Sequence, residues 1–189
     1  MADLYKLLQE SGAILTGHFL LTSGRHSDTY FEKFRVLERP DVLSEVCAEI
    51  ADHFGGAEID LVAGPTTGGI IVAFEAARRM GKPALYVESE NGKRALRRGA
   101  SVAPGARVLI VDDVFTTGAS VIEVAELLRS LDAEVAGVAV LVDRSETPVD
   151  FGAPFFAAVK VSATSYAPDE VPADLASIPV SKPGTRGSI

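Results

Sequence analysis

Cysteine, basic charge and long apolar runs are all scarce in this chain of 189 residues. Cys47 is the only cysteine, which excludes an internal disulfide, and its place in a helical pattern predicts a small core residue. No apolar run approaches the roughly 18 residues that a membrane-spanning helix needs. The N-terminal segment lacks the basic and apolar regions of a signal peptide. We therefore expect a cytoplasmic protein without a membrane partner.

The balance of charge is acidic. Lysine and arginine number 18 against 26 aspartates and glutamates, so the formal net charge is −8. Such a chain is a poor partner for nucleic acid, and we expect none. Small anionic substrates are still compatible with this charge, because they need only a local cluster of basic residues.

Two nucleotide-binding fingerprints are missing as well. The chain has neither GxGxxG nor the glycine spacing of a P-loop, and it shows no recognisable pairing of a nucleophile with a base. Strand-like and helix-like patterns alternate instead, which predicts an α/β fold with a parallel sheet and ligand sites at the carboxyl ends of its strands. We expect a single domain over residues 1–189, with a hairpin hood within 1–36 and a C-terminal tail over 165–189.

Periodicity and turn residues predict the element boundaries. The helices are a first one capped by Asp3, one opening at Pro40, one after Gly69, one from Val121 and a short one within 169–177. The strands are 18–23, 29–36, 60–63, 84–87, 108–112, 137–142 and 155–161. Residues 88–103 show no clear period and are predicted to be an irregular, mobile flap, and the last residues of the tail are predicted to be loose.

The stretch VLIVDDVFTTGAS, residues 108–120, combines a buried strand, two carboxylates, a hydroxyl-rich glycine turn and the start of a helix. A helix N-terminus can hold a phosphate, and Gly118 lets the backbone approach it closely. Asp112 and Asp113 would repel that phosphate, so they are expected to face vicinal ribose hydroxyls or a hydrated Mg²⁺. This order predicts a sugar-phosphate site. The alternative is a strand–turn–helix whose Asp and Thr residues only cap the helix.

This stretch resembles the phosphoribosyl-pyrophosphate (PRPP) motif of the type I phosphoribosyltransferases, and other segments resemble the orotate-specific branch of that family. The resemblance implies a parallel sheet flanked by helices with a small N-terminal hood. It implies that Asp112 and Asp113 are catalytic. It also implies PRPP contacts throughout the motif, at Asp112, Asp113, Val114, Phe115, Thr116, Thr117, Gly118, Ala119 and Ser120.

A second glycine-rich turn, AGPTTGG, follows the predicted strand 60–63 and is another candidate phosphate site. It resembles the family's pyrophosphate loop, which implies PRPP contacts at Thr66, Thr67 and Gly68. Some orotate enzymes carry a lysine in this loop, whereas this chain has Gly68 near that place. Backbone amides are therefore expected to hold the pyrophosphate.

Four cations, Lys93, Arg94, Arg97 and Arg98, lie close together within the predicted flap. They indicate either a loop that closes over a polyanion or a solvated basic turn or helix end. The resemblance implies a loop shared across the subunits of a homodimer, with Lys93 and Arg94 catalytic and Arg97 and Arg98 on PRPP. The family's usual signature here is an Arg-Lys pair, then a lysine, then a histidine. In this chain Glu88-Ser89 stands in place of the pair, and no histidine follows.

Arg144 follows the predicted strand 137–142 in the string Asp-Arg-Ser-Glu. An exposed arginine can hold a planar carboxylate through two hydrogen bonds. In the orotate branch an arginine in this setting contacts the orotate carboxylate, which implies that Arg144 and Thr116 bind orotate. The alternative is a surface salt bridge with Asp143 or Glu146.

The segment SGRHSDTYF resembles the N-terminal signature of the orotate branch, whose aromatic pair lies over the base. This implies that Tyr30 and Phe31 contact orotate, although both are equally compatible with a strand core. Many members have a lysine just before this signature, where the present chain has Thr22. Lys33 is a candidate substitute.

The resemblance implies transfer of ribose 5-phosphate from PRPP to N1 of orotate, giving orotidine 5′-monophosphate and pyrophosphate in pyrimidine synthesis. It implies Mg²⁺ as the cofactor, held mainly by PRPP without a direct protein ligand. One alternative is a phosphoribosyltransferase for another base, which stays open because the basic segment, residues 93–98, departs from the orotate signature. The other is a PRPP-sensing regulator that performs no chemistry.

Overall fold

The computed structural model describes residues 4–21, 23–145, 147–161 and 164–183. The predictions for Asp3, Thr22, Glu146 and the last residues of the tail lie outside these ranges. The described residues pack into two compact units, one formed by the chain up to Arg39 together with the chain from Val161, the other by Pro40–Lys160. A single domain over the whole chain stays a prediction. No helix in the described ranges is long and apolar enough to cross a membrane.

Six helices and ten strands are seen within those ranges. In chain order they are α1 (Leu4–Glu10), β1 (Ile14–Leu20), β2 (His26–Phe31), α2 (Phe34–Leu37), α3 (Pro40–His53), β3 (Leu61–Pro65), α4 (Gly68–Met80), β4 (Ala84–Glu90), β5 (Lys93–Ala95), β6 (Arg107–Phe115), α5 (Ala119–Ser130), β7 (Glu134–Asp143), β8 (Phe155–Lys160), β9 (Ser165–Tyr166), α6 (Ala173–Ala176) and β10 (Val180–Ser181).

The first unit contains a four-stranded sheet in the order β10-β1-β2-β9. Its antiparallel β1–β2 pairing confirms the predicted N-terminal hairpin, whose role as a hood stays a prediction, but the strand boundaries were wrong. The second strand ends at Phe31, and part of its predicted continuation forms α2. The tail was expected to add only a short helix, yet β9 and β10 each pair with one edge of the hairpin.

The second unit is built on a six-stranded sheet in the order β5-β4-β3-β6-β7-β8. All strands from β4 to β8 in this order run parallel, which confirms the predicted α/β architecture. The apolar face of α5 packs on this sheet through Val121, Val124 and Leu128, all fully buried or nearly so. The carboxyl ends of β3, β6 and β7 therefore share one edge, where their loops can meet.

Strand β6 extends further than the predicted 108–112. Its pairing with β7 continues to Phe115 opposite Asp143. The two aspartates therefore lie within the strand and not after it. Their backbones are fixed by the sheet, so the strand determines where their carboxylates point.

The predicted irregular structure is wrong for residues 88–95, while the mobility of this segment stays a prediction. Strand β4 continues to Glu90 and turns back into β5, with Glu88 opposite Ala95 and Glu90 opposite Lys93. The turn residues Asn91 and Gly92 have φ angles of 51° and 76°. Positive φ at both positions is the hallmark of a type I′ hairpin turn, for which Asn-Gly is the preferred dipeptide.

Candidate active site

The loop predicted to bind phosphate, residues 116–120, is called the phosphate loop below and is built around Gly118, the residue that precedes α5. Gly118 has a φ of 76°, and a Cβ atom added there would lie 2.6 Å from the Phe115 ring. Glycine is thus required both for the backbone conformation and for the close approach of the ring. A pocket of about 80 Å³ at this helix end is lined by Asp112 and residues 114–121. Because the first N–H groups of a helix lack intrahelical partners, they can bind an anion here.

Both aspartates of the motif are buried, Asp112 with 9% and Asp113 with 5% of its surface exposed. The Asp113 N–H donates to Asp112 Oδ1 at 2.8 Å, and the Val114 N–H donates to Asp113 Oδ1 at 2.6 Å. These bonds orient the carboxylates. Asp112 is the one of the two that lines the phosphate-loop pocket.

The glycine-rich turn after β3 lies directly against the two aspartates. A Cβ atom on Gly68 would fall 1.7 Å from Asp113 Oδ2, and one on Gly69 would fall 3.1 Å from Asp112 Oδ1. The structure thus brings together the two phosphate-binding clusters that the sequence predicts separately. A side chain at position 68 would therefore require the Asp113 carboxylate to move. The Thr66–Thr67 peptide of this turn is cis, Thr66 is half-buried and Thr67 is exposed.

Arg144 lies beside the phosphate loop. Its backbone N–H donates to the Phe115 carbonyl at 2.8 Å, which fixes its backbone next to Thr116 at the carboxyl ends of β6 and β7. The neighbouring Asp143 accepts hydrogen bonds from the backbone N–H and the hydroxyl of Ser145, and Lys160 Nζ lies 3.8 Å from its other oxygen. Glu146, the other suggested partner of Arg144, is outside the described residues. The position of Arg144 fits the predicted orotate contact.

The four cations of the basic segment have different surroundings. Arg94 Nε donates to Glu123 at 2.8 Å, whereas Arg97 pairs with Glu90 and Arg98 with Glu88, each at 3.1 Å. The hydrogen bond to Glu88 raises the pKa of Arg98 above its ordinary value. Lys93 is exposed and makes no ion pair within the part of the chain that the structure describes. Three of the four predicted polyanion ligands are thus engaged by carboxylates of their own chain.

The aromatic pair of the hood lies in β2. Tyr30 is half-buried with its ring centroid 5.7 Å from that of Phe19, while Phe31 is only 5% exposed. Neighbouring residues of a strand point to opposite faces of the sheet, so the two rings cannot cover a base together from one side. Phe31 fits the core alternative, and an orotate contact of Tyr30 stays a prediction. Lys33 begins the α2 turn with its Nζ 5.7 Å from the Phe34 ring centroid.

Sequence reasoning missed two features of this site. One is the close packing of the Phe115 ring against Gly118. The other is the pair of hydrogen bonds from Arg94 to Glu123 and Ser120. The Asn-Gly dipeptide was the available signal for the second, because a hairpin turn there carries Arg94 back toward the sheet. The described ranges contain no group of three or more His, Cys, Asp or Glu side chains that could hold a metal ion.

The parallel α/β sheet, the loop before α5 and the glycine turn that meets the aspartates all lie within residues 37–162, which match the phosphoribosyl transferase domain family. This match makes the chain a phosphoribosyltransferase. A curated orotate phosphoribosyltransferase from Pelotomaculum thermopropionicum is 48% identical over 97% of this chain and 97% of its own length. Another from Caldanaerobacter subterraneus is 46% identical over 96% of this chain and 95% of its own length. The crystal structure of orotate phosphoribosyltransferase from Aeropyrum pernix has a TM-score of 0.68 at 32% identity, over 84% of this chain and 93% of that one. This chain therefore belongs to the orotate phosphoribosyltransferase family.

Proposed function

We propose that this protein transfers ribose 5-phosphate from PRPP to orotate, giving orotidine 5′-monophosphate and pyrophosphate in pyrimidine synthesis. The observation that carries this function is the hydrogen bond from the backbone N–H of Arg144 to the Phe115 carbonyl. It holds the backbone of Arg144, whose guanidinium is suited to a planar carboxylate, beside a loop suited to a phosphate. Orotate carries such a carboxylate, whereas adenine, hypoxanthine and uracil do not.

The loop from Thr116 to Ser120 would bind the 5′-phosphate through backbone N–H groups and hydroxyls at the start of α5. Asp112 and Asp113 would accept hydrogen bonds from the ribose hydroxyls, because their carboxylates are held in fixed directions by neighbouring N–H groups. The sugar would then lie across the ends of β3 and β6. Catalysis then rests on orientation and on charge stabilisation, without a covalent nucleophile.

The departing pyrophosphate would lie in the turn Gly64–Gly69, where backbone amides can approach it. We propose Mg²⁺ as the cofactor, which would neutralise the pyrophosphate as it leaves. One oxygen of each carboxylate, Asp112 and Asp113, already accepts a backbone N–H. These carboxylates therefore fit a Mg²⁺ ion that is carried mainly by PRPP and that they would contact chiefly through the ribose hydroxyls. Lys93 is the cation of the basic segment best placed to add charge, because it is exposed and makes no ion pair with any described residue.

We further propose a cytoplasmic homodimer. Three large apolar side chains of the second unit support association, because Ile71, Phe74 and Tyr86 are 41%, 65% and 38% exposed. Ile71 and Phe74 are one turn apart on α4 and form a continuous apolar strip. The mass of the protein in solution, measured by sedimentation equilibrium, tests the dimer, and a monomer at micromolar concentration would contradict it.

The function is tested by pyrophosphate release from PRPP and Mg²⁺ with orotate, uracil, adenine or hypoxanthine as the acceptor. We expect release with orotate alone. Release with another base would contradict the role of Arg144, and tight PRPP binding without release for any base would favour a regulator.

The Asp113→Asn variant tests the carboxylate assignment. An asparagine oxygen can still accept the Val114 N–H, so the fold should be retained, but the charge that orients the ribose is lost. We expect kcat to fall about 100-fold or more with an unchanged melting temperature. A folded variant with wild-type turnover would show that Asp113 has no catalytic role.

A further inference from the structure

Arg94 differs from the other arginines of the basic segment in its burial and in its partners. Its side chain is 12% exposed, against 49% for Arg97 and 73% for Arg98. Its Nη2 donates to Ser120 Oγ at 3.0 Å and its Nε to Glu123 Oε2 at 2.8 Å. Both partners lie near the start of α5, so the guanidinium lies at the phosphate-binding end of a helix in its own chain.

The direction of the hydrogen bond at Ser120 determines what that hydroxyl can do. A guanidinium only donates, so Ser120 Oγ must be the acceptor of the bond from Arg94. The single proton of the hydroxyl is then available for another acceptor, and none is recorded for it among the described residues. Ser120 lines the pocket at the start of α5. An anion in this pocket is therefore the natural acceptor of the Ser120 proton.

We propose that Arg94 is a positioning residue for the 5′-phosphate of PRPP bound to its own chain. Arg94 holds Ser120 as an acceptor, which directs the hydroxyl proton toward the phosphate, and its positive charge lies beside the loop. Glu123 fixes the orientation of the guanidinium through Nε. This inference rests on the proposed function and changes the expected role of Arg94, which the resemblance had assigned to catalysis in a loop shared across subunits.

A plain structural role would be to fasten the β4–β5 hairpin to α5 through the Arg94–Glu123 ion pair. The two roles differ in which half of PRPP they affect. A positioning role concerns the phosphate monoester and leaves the binding of pyrophosphate unchanged. If Arg94 only fastens the hairpin, Glu123 matters as much as Arg94. Loss of their ion pair would then disturb the whole hairpin, including Lys93.

Titration calorimetry with ribose 5-phosphate, and separately with pyrophosphate and Mg²⁺, distinguishes these roles. We expect Arg94→Gln to weaken ribose 5-phosphate about tenfold and to leave pyrophosphate binding unchanged. Glu123→Gln should stay within about threefold of the wild type for both ligands, because Arg94 and its charge remain. Equal ribose 5-phosphate affinity in Arg94→Gln and the wild type, or an equal loss in Glu123→Gln and Arg94→Gln, would overturn the proposal.

Arg107→Gln is the matched control. Arg107 also pairs with a glutamate, Glu134, but lies at the amino end of β6, away from the phosphate loop. This variant should bind ribose 5-phosphate as the wild type does. A loss equal to that of Arg94→Gln would show a general effect of removing an ion-paired arginine and would overturn the proposal.

Steady-state kinetics give an independent readout. Arg94→Gln should raise KM for PRPP about tenfold with kcat within about threefold of the wild type, whereas a fall in kcat alone would overturn the proposal. In mixtures of Arg94→Gln with Asp113→Asn chains, turnover comes almost entirely from the Arg94→Gln sites, so KM for PRPP should stay raised if Arg94 acts within its own chain. A KM restored to the wild-type value would show action across subunits and overturn the proposal. A wild type that binds ribose 5-phosphate but shows no turnover with orotate would contradict the proposed function, while the calorimetric comparison would still decide the role of Arg94.

Discussion

Two groups of side chains in the second unit have nearly the same composition but different surroundings. Each contains an arginine whose Nε donates to a glutamate at 2.8 Å and whose Nη2 reaches a serine hydroxyl. One group, which we call the helix-pair network, joins α3 to α4 through Ser44, Glu75 and Arg78. The other, the phosphate-loop network, joins β5 to α5 through Arg94, Ser120 and Glu123.

The two networks differ in where the serine proton goes. Ser44 Oγ donates to Glu75 Oε1 at 2.6 Å, and Arg79 Nη2 also donates to Ser44 Oγ at 2.7 Å. The helix-pair network is therefore closed, with its donors and acceptors matched internally. Ser120 instead accepts from Arg94 beside a pocket, and no acceptor for its own proton is recorded among the described residues. A closed network stabilises the fold, whereas an open one can bind a ligand.

The largest expected effect on activity comes from adding one methyl group at Gly68, in the glycine-rich turn beside Asp113. In Gly68→Ala the new Cβ would fall 1.7 Å from Asp113 Oδ2, so the carboxylate has to move. Because a displacement of about 1 Å at a reacting centre can cost about 100-fold, we expect kcat/KM to fall by about that factor. Steady-state assays with PRPP and orotate measure it.

Gly56→Ala is the control, since a Cβ atom on Gly56 meets nothing within 4 Å. It should leave kcat/KM unchanged. Unimpaired turnover in a folded Gly68→Ala protein would mean that the glycine turn and Asp113 can separate without consequence. The contact between the two clusters would then be incidental to catalysis.

The sequence predicted the β6–loop–α5 segment well because its signals are local. An apolar strand, an acidic pair, a glycine turn and a helical pattern follow one another without a gap. The contact of Gly68 with Asp113 could not be predicted in the same way, since it depends on the relative register of β3 and β6. Arg144 was placed correctly beside the loop because parallel strands end at one edge of a sheet.

The charged hairpin and the tail show where such reasoning failed. Strand β5 has only three residues and two are cations, so it offers no hydrophobic period, and only the Asn-Gly turn indicated it. Strands β9 and β10 have two residues each and exist through pairing with β2 and β1. Such pairings join distant parts of the chain, and no local pattern predicts them.

Replacing each serine by alanine tests the comparison directly. Ser120→Ala removes a donor that faces the pocket, so we expect KM for PRPP to rise about fivefold with an unchanged melting temperature. Ser44→Ala breaks a closed network, so we expect the free energy of unfolding to fall by about 1 kcal/mol with unchanged kinetics. Denaturant titrations and steady-state assays on both variants measure these effects. The opposite pattern, with lower stability in Ser120→Ala and altered kinetics in Ser44→Ala, would contradict the distinction.

The smallest expected effect is the pH dependence of the helix-pair network. The hydrogen bond from Arg78 lowers the pKa of Glu75 from 4.5 to about 2, against the opposing effect of burial, with smaller contributions from Ser44 and Arg79. A carboxyl group whose pKa is lower in the folded state stabilises the protein above its unfolded pKa and loses that contribution as pH falls through the folded pKa. The contribution of Glu75 should therefore be complete above about pH 5 and decline toward pH 2.

We expect Glu75→Gln to lower the free energy of unfolding by about 1 kcal/mol at pH 7, since Arg78, its main partner, is 56% exposed. The difference from the wild type should shrink as the pH is lowered from 5 to 2, when the native carboxylate itself becomes protonated. Urea titrations of both proteins across this range measure the difference. Glu123→Gln provides the contrast, because Glu123 is 50% exposed and its partner network is open, so its effect on stability should be smaller at every pH. A constant difference between wild type and Glu75→Gln from pH 7 to pH 2 would show that the charge of Glu75 does not contribute to stability.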